Sequence, residues 1–262
     1  MYLKQRQEEI MRILKENSFA EVDFLAEQLG VSTMTIRRDL QKLSEQGLVA
    51  RQHGGAFLPE EMRGEKDYGV KKTTNVDIKK QIARKALELV KDGDTIFLDN
   101  GTTTYEIAAL LHSRYNITVL TGDIQIATLL LKTDVRLVLV GGVVQNQTGC
   151  VVSGDARDFI RRFRVSKTFL AAPSIDKHWD VLTPTVDKAY YKQAAISIAT
   201  ETYLVADSSK FDGVSFSRIC NLRDLSGVIT DRIFTKQEQQ ELINKDVNII
   251  SVVDDGNSAV KK

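Results

Sequence analysis

The run Val31-Ser-Thr-Met-Thr-Ile-Arg-Arg-Asp-Leu-Gln-Lys-Leu43 decides how the amino-terminal part of this 262-residue chain is read. Ile36, Leu40 and Leu43 recur at helical spacing, so they form the buried face of a helix that Ser32 caps and Gly47 closes. The opposite face then carries Thr33, Met34, Arg37, Arg38 and Gln41, with Lys42 at its flank. Upstream, Ile10, Ile13 and Leu14 give residues 4–17 one apolar stripe. Val22, Leu25 and Leu29 give a second, shorter stripe that stops at Gly30, a residue suited to the left-handed conformation just past a helix end. Three short helices sharing one small core are expected. Leu48 to Phe57 reads as a small hairpin turned by Gly54 and Gly55.

Length and composition set the frame for this reading. Residues of hydrophobic type make up 42% and charged ones 27%, which suffices for a real core and excludes wholesale disorder. The length suggests two unequal domains. A formal net charge of +1 excludes the overall basic excess of indiscriminate nucleic-acid binders, so any DNA contact must be a local arrangement. Such an arrangement is present: residues 1–31 carry four basic and six acidic side chains, whereas residues 32–57 carry four basic and two acidic. The exposed face of the third helix and the hairpin form the positive side of a neutral domain, the polarity a phosphate-facing surface requires. A solvated face is the plain alternative. Cys150 and Cys220 stand alone, without metal-ligand spacing, and no segment resembles a signal peptide or a membrane span. A cytoplasmic protein with no cofactor, no metal and no membrane partner is expected.

From Pro59 to Asn75 the chain is highly charged and nearly without aliphatic residues, as in a linker or hinge. The expected division is 1–58, a 59–75 linker and 76–262. Beyond the linker, aliphatic runs alternate with helical stripes: 95–99, 117–121, 135–140, 167–171, 202–206, 227–230 and 247–252. This is the pattern of an α/β domain with a mostly parallel sheet covered on both faces. Polar and glycine-rich residues follow the runs directly, at the carboxyl ends of strands where ligands bind in open α/β sheets. Asp99-Asn-Gly101-Thr102-Thr103-Thr104 is the clearest case, a glycine turn and three hydroxyls opening a helix. It reads equally as an anion site and as an ordinary capped helix start.

The third helix, together with Gly47 and Arg51-Gln-His-Gly-Gly-Ala56, resembles the winged helix-turn-helix of the DeoR family of bacterial transcriptional regulators. The resemblance implies that Thr33 to Lys42, Thr35 included, form a recognition helix and that Arg51, His53, Gly54 and Gly55 form a wing. Glycines there would let the main chain approach phosphates, and Asp39 would be an internal partner for an arginine. The remainder, with Asp187 to Lys192 and Asp207-Ser-Ser-Lys210, resembles the family's sensor domain, itself similar to ribose-5-phosphate isomerases. That implies a phosphorylated sugar as effector, with Gly101, Thr102, Thr103 and Thr104 holding the phosphate and Lys192 and Lys210 offsetting its charge. Asp99 is assigned to sugar hydroxyls or to fixing the loop, and Asp187 to the pocket.

Three departures from the family pattern bear on that pocket. Thr121-Gly122-Asp123 stands where Thr-Asn is usual, Ala171-Ala-Pro-Ser174 replaces a glycine-rich turn, and Asp187-Lys188 replaces Glu-Ala. His112, His178, the scattered methionines, Trp179 and the Lys261-Lys262 end are read as structural or solvated. The function implied is a repressor of a carbohydrate-metabolism operon, binding double-stranded operator DNA as a dimer or tetramer. The alternatives are a sugar-phosphate isomerase or deaminase with an appended helical domain, for which no acid and base pair can be assigned, and a DNA-binding protein answering to a partner protein.

Overall fold

The computed structural model describes residues 3–17, 19–46, 48–52, 54–58 and 68–253. Gly47, His53, residues 59–67, Lys261 and Lys262 lie outside the described residues.

The first unit runs α1 (Leu3–Asn17), β1 (Phe19–Glu21), α2 (Val22–Leu29), α3 (Thr33–Glu45), β2 (Ala50–Gln52) and β3 (Gly55–Phe57). Ile10, Ile13, Leu14, Leu25, Ile36, Leu40 and Leu43 meet in one core. Burying each large aliphatic side chain contributes about 1.5 to 3 kcal/mol, which is what holds three helices of this length. Gly30 closes α2 at φ 62°, and the Ser32 hydroxyl accepts the Thr35 N–H at 3.3 Å to start α3. The expected hairpin supplies two strands of a three-stranded sheet in the order β1-β3-β2. Its third strand, three residues between two helices, is too short to show any periodicity.

After residue 67 the chain enters α4 (Tyr68–Thr73), a helix inside the stretch read as linker, and then α5 (Val76–Leu89). The second unit continues β4 (Thr95–Leu98), α6 (Thr102–Leu110), β5 (Thr118–Thr121), α7 (Ile124–Leu130), β6 (Arg136–Leu139), β7 (Val144–Gln145), β8 (Cys150–Val151), α8 (Gly154–Ile160) and β9 (Val165–Leu170). It ends with β10 (Ser174–Ile175), β11 (Asp180–Thr183), α9 (Val186–Ser197), β12 (Ala199–Val205), β13 (Ser217–Asn221), β14 (Gly227–Thr230), α10 (Lys236–Asn244) and β15 (Ile249–Ser251). All seven aliphatic runs pair in one parallel sheet, β15-β14-β12-β9-β4-β5-β6.

Successive residues of a central strand face opposite layers, so these strands must be apolar throughout. Ile96 and Leu98 pack beneath α5, α6 and α7, whereas Phe97 packs toward α8 and α9. A separate antiparallel sheet, β10-β11-β13, leans on α9. Its strands are short and partly polar, and nothing in the aliphatic pattern announced them. The consequence for function is positional: Asn100, Ala171 and Ala206 follow neighbouring strands at one edge of the sheet, and α4, α5, α6 and α9 gather around that edge.

Candidate functional site

The first surface is the outer face of α3. With Ile36, Asp39, Leu40 and Leu43 turned inward, Thr33, Met34, Arg37, Arg38, Gln41 and Lys42 are exposed and Thr35 is half-buried. Met34 is 73% exposed, which no packing role explains. Asp39 is internal, as expected, and its partner is Arg6 of α1, whose Nε donates to Oδ2 at 2.5 Å. That buried pair fixes α3 against α1. Gln41 is not wholly available to a ligand: its amide donates to Glu45 at 2.9 Å and its carbonyl accepts from Arg51, tying wing to helix.

The two wing glycines have different jobs. Gly54 sits at the exposed turn with φ 81° and open space around it. Gly55 is buried instead, and a Cβ there would strike the Ala20 carbonyl and lie 2.8 Å from Cε2 of the Phe19 ring. Its smallness therefore serves the β1 contact rather than an approach to phosphate, a correction to the sequence reading.

The second surface is a cavity of about 590 Å³ at the carboxyl edge of the parallel sheet, a volume suited to a small organic ligand. Gly101, Thr102, Thr103, Lys192 and Lys210 line it as expected. Three other assigned residues do not. Asp187 is exposed on the first turn of α9, while Lys188, rotated by one residue, is buried and lines the cavity with Tyr191 and Lys192. These three share a face because they stand at i, i+3 and i+4. Thr104 is fully buried and its hydroxyl donates to the carbonyls of Asp99 (2.6 Å) and Gly101 (2.8 Å), so it shapes the loop from within. Asp99 is also fully buried: Oδ2 accepts the Ala171 N–H at 2.9 Å and the Lys192 ammonium. It fixes the loop, one of the two roles assigned to it, and it partly neutralises Lys192.

The head of α6 carries a resident carboxylate. Asp123 is fully buried, and its Oδ2 accepts the Gly101 N–H at 3.2 Å while Oδ1 caps α7 through Gln125 and Ile126. Burial pushes this carboxyl up to about 6, against the N–H groups of Ile126, Gln125 and Gly101 that favour its charge. The Thr102 and Thr103 ends of the turn remain toward the cavity. Across it, Asp207 accepts from Asn75 (3.1 Å) and from Ser209 and lies 3.9 Å from the Lys210 ammonium. Burial raises the Asp207 carboxyl, but Lys210 and those hydrogen bonds outweigh it and hold it below the usual range.

Sequence reading missed Lys71, Lys79 and Lys188, which also line this cavity. Lys79 donates to the Lys71 and Thr74 carbonyls. Burial lowers its pKa more than Asp207 raises it. Spacing back from Lys192 was the available signal for Lys188. For Lys71 the only hint was Tyr68 and Val70 inside an otherwise charged stretch. Among the described residues, ten buried side-chain polar atoms have no hydrogen-bond partner, and six belong to cavity residues: Tyr68, Asn100, Ser174, Thr183, Tyr191 and Asp207. Orphans of this kind are rare in folded proteins, each costing about 1 to 3 kcal/mol, so their convergence marks a place built for a polar guest.

Trp179 and His178 keep their plain readings, Trp179 buried edge-on to Phe234 and His178 exposed. Cys150 is buried, whereas Cys220 is only half-buried. Among the described residues no helix is long and apolar enough to cross a membrane.

Comparison with known proteins gives two domain matches, the DeoR-like helix-turn-helix domain over residues 6–62 and the DeoR C terminal sensor domain over residues 74–232. The chain is 34% identical to the lactose phosphotransferase system repressor of Staphylococcus epidermidis, covering 94% of this chain and 98% of that one. It is 33% identical to the glycerol-3-phosphate regulon repressor of Escherichia coli, covering 87% and 90%. It is also 31% identical to the transcriptional regulator GlpR of Haloferax volcanii, covering 95% and 98%. Among solved structures, ribose 5-phosphate isomerase A of Methanocaldococcus jannaschii aligns with 53% of this chain and 55% of its own at 19% identity, with a TM-score of 0.40, too distant to bear on activity. Exposed α3, wing, polar cavity and matches over nearly the whole length agree: the chain belongs to the DeoR family and is a DNA-binding transcriptional regulator, not an enzyme.

Proposed function

We propose that this regulator represses an operon of carbohydrate metabolism and that a phosphorylated sugar, bound in the cavity, controls its hold on operator DNA. The observation that carries the reading is the convergence of six orphaned polar atoms on one cavity that also holds the Thr102-Thr103 turn and five lysines. A polyol offers hydroxyls that both donate and accept, which is what such a set of atoms requires. A phosphoryl group fits hydroxyls and N–H groups at a helix start, with ammonium groups opposite. Two relatives, a lactose phosphotransferase system repressor and a glycerol-3-phosphate regulon repressor, support the same class by their names.

On the DNA side, Arg37 and Arg38 are the base readers, because an exposed arginine near the start of a helix can bind guanine through two parallel hydrogen bonds. Thr33, Thr35, Met34, Gln41, Lys42, Arg51 and Gly54 complete the contact surface. A dimer or tetramer would present two or more reading heads to a symmetric operator. Asn17, the last residue of α1, lines the cavity, as do Tyr68 and Lys71 of α4, which gives ligand occupancy a route to the helix that carries Asp39's partner.

The test is a thermal-shift screen with fructose 6-phosphate, glucose 6-phosphate, ribose 5-phosphate, glycerol 3-phosphate and inorganic phosphate. A sugar phosphate at about a hundred times its Kd should stabilise the folded protein by about 2.7 kcal/mol. A flat response to every sugar phosphate contradicts the reading.

A further inference from the structure

Position 122 has no side chain because another residue's side chain occupies that space. A Cβ built on Gly122 would overlap the Tyr191 hydroxyl, far inside van der Waals contact, and lie 3.2 Å from both Tyr191 Cζ and the Val151 carbonyl oxygen. Tyr191 reaches there from α9, its ring tilted against Phe97 at 6.1 Å between centroids. The residue is 1% exposed and lines the cavity beside Asn100, whose side chain acts on its hydroxyl; apart from that mutual contact, neither the hydroxyl nor the Asn100 side-chain oxygen has a hydrogen-bond partner. The amide usual after this strand in the family is thus absent, and a phenol stands in its place.

We propose that the Tyr191 hydroxyl, together with the Asn100 side chain, is the specificity-determining contact of the cavity, taking a hydroxyl of the ligand's sugar end rather than its phosphoryl group. This rests on the sugar-phosphate reading and adds to it an orientation. The polarity comes from the surroundings. Asp99 and Asp123 both act on Tyr191, and a phosphoryl group brought beside them would meet two carboxylates, of which Asp99 alone is offset by an ammonium, that of Lys192. A neutral hydroxyl meets a donor and acceptors instead. Burial, with the Asp99 charge adding to it, holds the phenol pKa well above its ordinary value, so the group stays a protonated donor at neutral pH. The phosphoryl end is left to Thr102, Thr103 and the lysines of α4, α5 and the Asp207–Lys210 turn.

The experiment is calorimetric titration of the full chain and of Tyr191→Phe with the same four sugar phosphates and with inorganic phosphate. The sugar phosphate that binds the unmodified protein best should lose about five- to tenfold in affinity, the worth of one hydrogen bond. Inorganic phosphate should bind both proteins alike, and the unliganded variant should melt no lower than the unmodified protein, because the ring packing is kept and a buried unpaired hydroxyl is removed. Equal affinity for the sugar phosphate in both proteins overturns the inference, as does an equal loss for inorganic phosphate, which would indicate a structural role. Failure of every sugar phosphate to bind the unmodified protein overturns the sugar-phosphate reading itself. Gly122→Ala supplies the second arm. It should lower the melting temperature of the unmodified protein and do so less in the Tyr191→Phe background; an equal drop in both means that the hydroxyl does not fill position 122.

Discussion

The exposed face of α3 and the floor of the cavity are both rich in charged and hydroxylated side chains, but the fold uses them differently. On α3, Thr33, Met34, Arg37 and Arg38 are exposed, and helical phase alone put them there. At the cavity Lys192 is held by Asp99 and Ala171, and behind its wall Thr104 is held by two carbonyls and Asp123 by three N–H groups. A residue type that signals binding on a lone helix can therefore be spent on architecture where several elements meet. The interface should lose function without losing stability when mutated, and much of the cavity should lose both.

The largest expected effect is on stability. Lys192→Met removes the partner of a fully buried carboxylate, and breaking a buried pair from one side costs about 3 to 5 kcal/mol. Chemical denaturation would read this, and a change below about 1 kcal/mol would mean that Asp99 and Lys192 are not the pair described.

Next in size is a pH effect at Asp123. Its folded value of about 6 lies above the ordinary 3.8, so below about pH 4 both states are protonated and the residue is neutral in the balance. Between about pH 4 and 6 the unfolded chain releases a proton that the folded chain keeps, and stability falls by up to about 3 kcal/mol. Asp123→Asn should lack that slope, so the stability difference between the two proteins should change across this window and level off above it. A constant difference from pH 4 to 7 would contradict the burial argument.

The smallest effect separates neighbouring hydroxyls. Thr104→Val should cost about 1 kcal/mol of stability while leaving ligand binding in place, whereas Thr102→Val with Thr103→Val should abolish the ligand response. Thermal shift with and without ligand distinguishes them, and the opposite pattern would return Thr104 to the binding turn.

The same contrast explains how much of the molecule was legible in the sequence. Ile36, Leu40 and Leu43 define α3 by spacing within one element, so its buried and exposed faces followed together. The parallel strands were legible because strands buried on both faces must be aliphatic. The cavity was not, beyond its glycine turn, because it is assembled from side chains on α4, α5, α6, α9 and the turn after β12. Asp187 entered through the resemblance to the family, and Lys188 faces the cavity in its place because one residue is a rotation of about 100° around a helix. Lys71 was hidden by the charged composition around residue 68, where a short helix packs on α6. Gly55 looked like freedom in the backbone and Gly122 like a lost amide, and both are instead space, for Phe19 and Tyr191.

In the proposed function α3 reads DNA and a sugar phosphate in the cavity controls the reading. Fluorescence anisotropy on a duplex isolated from random-sequence DNA by the unmodified protein tests it most directly. The sugar phosphate that stabilises the protein should change DNA affinity about 5- to 150-fold. Arg37→Ala should weaken DNA binding by about ten- to a hundredfold with that ratio kept, and Thr102→Val with Thr103→Val should bind DNA normally without responding. DNA affinity unmoved by any sugar phosphate, or Arg37→Ala binding as tightly as the unmodified protein at matched salt, would contradict the account.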